Sequence, residues 1–183
     1  IGQTIIQIDS IEELQKIGND PAYPLNGEYE LTQDIDASNT INWNEGLGFN
    51  PIGTSSSPFT GKFDGRGHKI TALYINRINM SNVGLFGYIG SGGEVKNIGL
   101  VNVLVLGSKY NVAALVGKND GTVIGCYSTG YIYSNNAGYY NVAGLVGYNH
   151  STVKDCYSTC IVAGVISVGG LIGGSDNGTV DGC

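Results

Sequence analysis

Apolar residues in this chain come in runs of two to five, broken by Gly, Asn and Ser, and from Asn82 onward the same runs return in the same order. Asn82-Val-Gly-Leu-Phe-Gly87, Asn111-Val-Ala-Ala-Leu-Val-Gly117, Asn141-Val-Ala-Gly-Leu-Val-Gly147 and Val168-Gly-Gly-Leu-Ile-Gly173 each open a copy. A turn and a second phrase follow each opening: Gly93-Glu-Val-Lys-Asn-Ile98, Gly121-Thr-Val-Ile-Gly-Cys126, Ser151-Thr-Val-Lys-Asp-Cys156 and Gly178-Thr-Val-Asp-Gly-Cys183. The copies start 29, 30 and then about 26 residues apart. A fixed period of this size marks a solenoid, propeller or array.

The runs are β-branched and aromatic, and none of them reads as a ten-residue helix, which excludes helical solenoids. A propeller blade needs roughly 40 to 50 residues for four strands, more than one copy holds. Three short strands and three turns fit, giving one coil of a parallel β-helix. In such a stack Leu85, Leu115, Leu145 and Leu171 form one inward column, and Val95, Val123, Val153 and Val180 another. Identical side chains would then lie about 4.8 Å apart along the axis.

The Gly-Leu-Val-Gly openings, with the Cys-Tyr-Ser-Thr phrase that follows Asp155, resemble the GLUG repeat of bacterial and archaeal cell-surface proteins, including adhesins and stalk regions of secreted peptidases. Pro51-Ile-Gly53 and Phe59-Thr-Gly-Lys-Phe-Asp-Gly-Arg-Gly-His-Lys-Ile70 are similar to the segment that precedes such repeats. The resemblance implies a right-handed parallel β-helix serving as an extracellular scaffold, and it carries over no catalytic residue. Ala113-Ala114, where Gly-Gly is commoner, and Cys160, where the preceding copy has Gly130, depart from the pattern.

Upstream, Ile5 to Ile8 reads as a short strand, and Ser10-Ile-Glu-Glu13 is a capping box that starts a helix with Ile11, Leu14 and Ile17 on one face. Gly18 and Pro21 end it, and its expected role is to cap the first coil. Gly27 to Asp36 alternates as a half-buried strand. Asn39 to Pro58 is a loop excursion carrying the chain's one Trp, Trp43. The expected organisation is a single β-helix over 1–183, with a cap and irregular coil over 1–58, a first regular coil over 59–81, and repeats over 82–183.

Length, composition and charge narrow the function. The 183 residues suit one elongated domain, and 30 Gly with 13% charged residues fit tightly turned β structure. A net charge of −6 with no basic cluster argues against nucleic acid and anionic membrane as partners. No apolar run reaches 18 residues, so no transmembrane helix is expected. A start at Ile1 is the start expected of a mature or excised fragment.

Candidate chemistry begins with the thiols. Cys126, Cys156 and Cys183 share one repeat position with Ile98, which marks it as apolar and inward. Spacings near 30 residues without neighbouring His ligands predict no metal site. Cys160 reads as an exposed candidate, with Cys183, for intermolecular disulfides. Ten of the fifteen acidic residues precede Asn82. Asp155 aligns with Gly182 and Asp181 with Lys154, so no column of paired carboxylates for glycan hydrolysis is expected. Asp34, Asp36 and Asp64 are the weaker acidic candidates; His68 is expected to bond turn backbone, and His150 to stand apart from it.

Tyr127 and Tyr157 fall in one column, with Tyr131, Tyr133, Tyr139, Tyr140 and Tyr148 on the same coils, and a Tyr stripe can pack on sugar rings or on protein. The sequons at Asn79, Asn149 and Asn177 matter only in a glycosylating host. The chain stops in mid-coil at Cys183, where unpaired edges would accept another strand. The expected function is therefore a non-enzymatic extracellular structural or adhesive module without cofactor, its partners being a surface glycan or protein, or itself. Self-assembly into a fibre, sheath or surface layer is one alternative. A polysaccharide-active enzyme is the other.

Overall fold

In the computed structural model, which describes residues 4–134, 138 and 141–183, the chain is a parallel β-helix. One sheet runs its full length through seven parallel rungs among the described residues: Ile5–Ile8, Glu28–Leu31, Lys62–Asp64, Glu94–Lys96, Thr122–Ile124, Thr152–Lys154 and Thr179–Asp181. Seven rungs at about 4.8 Å give a stack of roughly 29 Å. Each regular coil continues from this sheet into a longer strand such as Gly99–Gly107 or Tyr127–Ser134. It then passes through a two-residue strand (Val112–Ala113, Val142–Ala143) and a four-residue strand (Val116–Asn119, Val146–Asn149). The expectation of three strands per coil missed the two-residue strand, because Val-Ala followed by a bend is too short to show period-two alternation.

Register follows the repeat. Val95, Val123, Val153 and Val180 pair in succession, and Asp181 lies opposite Lys154. Leu85, Leu115 and Leu145 are fully buried, as are Val95, Val123 and Val153. Leu171 is only partly buried and Val180 is 46% exposed, because the terminal rung packs on one side. Val180 keeps its register place above Val153 in the column but is not covered from the far side.

The Asn that opens each of the first three copies has a backbone reason to be there. Asn82, Asn111 and Asn141 have φ of 60°, 62° and 71°, the left-handed region that Asn tolerates better than other non-glycine residues. Their side chains then form a ladder across coils. Asn141 Nδ2 donates to Asn111 Oδ1 at 2.9 Å, Asn111 Nδ2 to Asn82 Oδ1 at 2.7 Å, and Asn82 Nδ2 to Ser55 Oγ at 3.0 Å. A second ladder joins Asn119 Nδ2 to Asn149 Oδ1 at 2.8 Å, with both residues fully buried. These bonds satisfy polar groups that would otherwise carry a full desolvation cost.

Stacking begins earlier than the alternation implied. Ile5–Ile8 pairs with Glu28–Leu31, and that strand pairs with Lys62–Asp64, so the regular ladder already includes residues assigned to an irregular cap. The helix Ile11–Lys16 buries Ile11 and Leu14, and Ile17 follows them into the core. Ser10 Oγ accepts from the Glu13 amide at 3.4 Å, but the Glu13 carboxylate accepts from Asp9 N–H rather than from Ser10. Gln15 replaces a missing rung: its Nε2 donates to Asn50 O at 3.0 Å and its Oε1 accepts from Asn50 N–H at 2.7 Å. A side-chain amide thus covers the backbone edge just before Ile52, which bridges to Phe86.

Candidate functional site

Four surface or core features were singled out by the sequence, and the structure places each. The thiol position is a column. Cys126 N–H donates to Cys156 Sγ, and Cys156 N–H to Cys183 Sγ, both at 3.4 Å, so every sulfur leans toward the preceding coil. All four cysteines are free thiols. A hydrogen bond from the Cys126 thiol draws the Cys156 pKa down, whereas burial pushes that of Cys126 up. Cys126 and Cys156 are buried and Cys183 is exposed. Cys160 is half-buried, packed against the core, with its Sγ 3.6 Å from Gly144 O. Its expected outward exposure is therefore corrected: the strand pairing that sets Ile161 opposite Tyr131 turns Cys160 inward.

The tyrosines point outward. Tyr127 and Tyr157 stack with ring centroids 5.1 Å apart and planes 5° apart, and Tyr157 is 56% exposed. Tyr127 lies over Gly99 of the coil below, where an added Cβ would come within 2.2 Å of its Cζ. Tyr131 and Tyr133, 39% and 37% exposed, stand side by side with centroids 6.3 Å apart. Tyr139 and Tyr140 lie outside the described residues. Beside Tyr127 a cleft of about 470 Å³ is lined by Asp64, Arg66, Gly67, Asn97, Gly99 and Gly125.

The acidic candidates do not converge. Asp34 accepts from Lys69 N–H at 3.1 Å and lies 3.3 Å from His68 Nδ1. The Lys69 backbone bond lowers its pKa most; desolvation opposes that, and the His68 hydrogen bond and the nearby Lys69 and His68 charges keep the net shift downward. His68 N–H bonds the turn backbone at Gly65 O at 2.8 Å, as expected, and its ring adds a contact to the Asp34 carboxylate, because Lys69 begins the strand that sits beside Asp34. Asp36 caps Ser38 N–H at 2.9 Å. Asp64 sits on the other long sheet and bonds Arg66 N–H at 2.8 Å and Asn97 Nδ2 at 3.1 Å.

One cluster escaped the sequence reading. Asp120 bridges coils: Tyr88 Oη donates to its Oδ2, Lys118 Nζ lies 3.5 Å away, and His150 Nδ1 lies 2.9 Å from Oδ1. Lys118 Nζ also sits 4.7 Å above the Tyr88 ring, and Tyr148 meets His150 edge-on. Desolvation pushes the Asp120 pKa up, but hydrogen bonds from Tyr88 and His150 and the nearby positive charges outweigh it, so the net shift is downward. Burial and the Asp120 bond raise that of Tyr88. The signal lay in register: Tyr88 pairs with Lys118 and Lys118 with Tyr148, while Asp120 and His150 each follow a ladder residue, Asn119 and Asn149. Among the described residues no group of three or more His, Cys, Asp and Glu is arranged to hold a metal ion.

These features define a stacked-coil β-helix whose side chains are arranged chiefly to hold one coil on the next. One solved structure shares the fold, and two sequence relatives were found. The chain is 41% identical over 135 residues to Halomucin of Haloquadratum walsbyi, and 38% identical over 97 residues to a candidate Gly-rich membrane protein of Evansella cellulosilytica. These matches take in 71% and 52% of this chain but only 2% and 11% of the two relatives. The crystal structure of a candidate immunoglobulin A1 protease from Bacteroides ovatus superposes with a TM-score of 0.63 at 17% identity, over 97% of this chain and 63% of that one. At that identity the likeness is one of fold. No family model matches the chain.

Proposed function

We propose that this chain is a non-enzymatic structural module of a cell-surface protein, an outward rod or stalk built of GLUG-like coils and displayed outside the cell. The observation that carries this reading is the register-locked stack. Leu, Val, Asn and Cys columns repeat from coil to coil, and the conspicuous side-chain chemistry serves coil-to-coil contacts. Relatives named as a mucin and as a membrane protein support a surface setting. The Tyr131–Tyr133 face favours an adhesive variant of the same role, since two exposed rings offer area to a glycan or a protein surface. A further rung, from the same chain or a second copy, could extend the rod by pairing with the exposed edge at Val168 and Val180, both 46% exposed.

The competing reading is a carbohydrate-active or proteolytic β-helix. Incubation with neutral and acidic polysaccharides and with immunoglobulin A separates the two. The structural reading expects no new reducing ends or peptide termini. Cleavage by the wild type that disappears in Asp34→Asn, Asp64→Asn or Asp120→Asn would overturn it.

A further inference from the structure

Residues Asn39 to Pro58 lie outside the repeat although they touch it at Ile52 and Ser55, and they hold the chain's one Trp and a run of left-handed backbone. Asn44, Glu45, Gly46 and Gly48 all have positive φ, of 51°, 57°, 83° and 75°. Asn44 tolerates this region, but Glu45 in it costs of order 1 to 3 kcal/mol. The loop is held in that shape. Gly46 N–H and Gly48 N–H both donate to Trp43 O at 3.0 Å, Asn44 Nδ2 donates to Gly48 O at 2.7 Å, and the Trp43 ring stacks on the buried Phe49 at 6.4 Å.

The result is a cleft of about 390 Å³ lined by Trp43, Gln15, Asn19, Asn44 and Asn50. Its volume falls in the range of roughly 300 to 1,000 Å³ usual for small-molecule sites. No charged residue lines it. Four of its five lining residues are carboxamides, each offering both a donor and an acceptor. Gln15 is committed to the Asn50 backbone, and Asn19 Nδ2 to Gln15 O at 2.7 Å. The Trp43 indole N–H and the Asn50 carboxamide, by contrast, make no hydrogen bond to another described residue. An indole ring beside unspent, uncharged donors and acceptors suits a ligand with apolar C–H faces and paired hydroxyls, and it suits neither an anion nor a cation.

We propose that the Trp43 cleft is a binding site for a neutral glycan, the Trp43 ring packing on a sugar face while the Asn50 carboxamide and the Oδ1 atoms of Asn19 and Asn44, whose Nδ2 groups hold the loop, bond its hydroxyls. This site stands apart from the coils' structural role, since a scaffold with or without a ligand would keep the same stack.

Trp43 being the only Trp, excitation at its absorption edge reads this site alone. The test titrates the full chain with maltohexaose, cellohexaose, xylohexaose and mannohexaose, with oligogalacturonate as the anionic control, following Trp emission. The proposal expects a saturable emission change with at least one neutral oligosaccharide and none with oligogalacturonate. Asn50→Ala and Asn19→Ala should weaken that binding by about tenfold each, the scale of one lost hydrogen bond, while the melting temperature stays put. Trp43→Phe, which keeps a ring on Phe49, should weaken it further when followed by calorimetry. No neutral oligosaccharide shifting the emission at millimolar concentration would overturn the proposal. A shift that Asn50→Ala and Asn19→Ala leave intact, or a preference for the anionic control, would overturn it too.

Discussion

Tyr157 lies flat on Tyr127 one coil below, ring centroids 5.1 Å apart and planes 5° apart, and Tyr127 in turn covers the bare backbone of Gly99. The stack runs along the helix axis, so the ring faces are turned toward neighbouring coils and mainly the edges meet solvent from the side. Tyr127 and Tyr157 therefore serve coil stacking more than lateral recognition. Replacing Gly99 by Ala would force a Cβ to within 2.2 Å of the Tyr127 ring. We expect Gly99→Ala to destabilise the fold by about 1 to 3 kcal/mol, and Gly99→Ala combined with Tyr127→Ala to recover part of that loss, measured by chemical denaturation.

The buried amide ladder yields a sharper cost. Asn119 is fully buried, with its Nδ2 bonded to Asn149 Oδ1 and its Oδ1 accepting from Gly121 N–H at 3.1 Å. Asn119→Leu removes these two bonds and a third, which Nδ2 donates to Thr152 O at 3.2 Å, and strands its partners. A loss of about 2 to 3 kcal/mol is expected, against about 0.5 kcal/mol or less for a change at the exposed Asn79, compared in urea melts.

Much of this fold was readable because the repeat writes the register directly. Val95, Val123, Val153 and Val180 share a phrase and share a column. The Asn openers were equally visible, but as punctuation: nothing in one copy says that the same left-handed residue will donate to its counterpart a coil away. The Asp120 cluster stayed hidden for a related reason. Its four groups lie in Tyr88, Lys118, Asp120 and His150, up to 62 residues apart, and only the stacked register brings them within bonding distance. The Trp43 cleft was hidden further still, since it joins a helix to an excursion that obeys no period.

Acid should act through Asp120. Its pKa is depressed on folding, so the stability it contributes is present above the ordinary carboxylate value near 3.8 and is lost as pH falls below it. Asp120→Asn is therefore expected to be less stable than wild type by about 1 kcal/mol at pH 7, and the gap should close on acidification to below about pH 4. Denaturation at a series of pH values checks this, and a gap that widens in acid contradicts it.

The thiol column predicts an order of reactivity. In the native protein Cys183 should react first with an alkylating reagent, Cys160 more slowly, and Cys126 and Cys156 only on unfolding, since both are 2% exposed or less. Peptide mapping after timed alkylation reads the order.

The measurement that bears most directly on the central claim is labelling of intact source cells with an antibody raised to the folded coils. A surface structural module predicts labelling of unbroken cells at the outer boundary, removed by external protease. Labelling that appears only after the cells are broken open would contradict it.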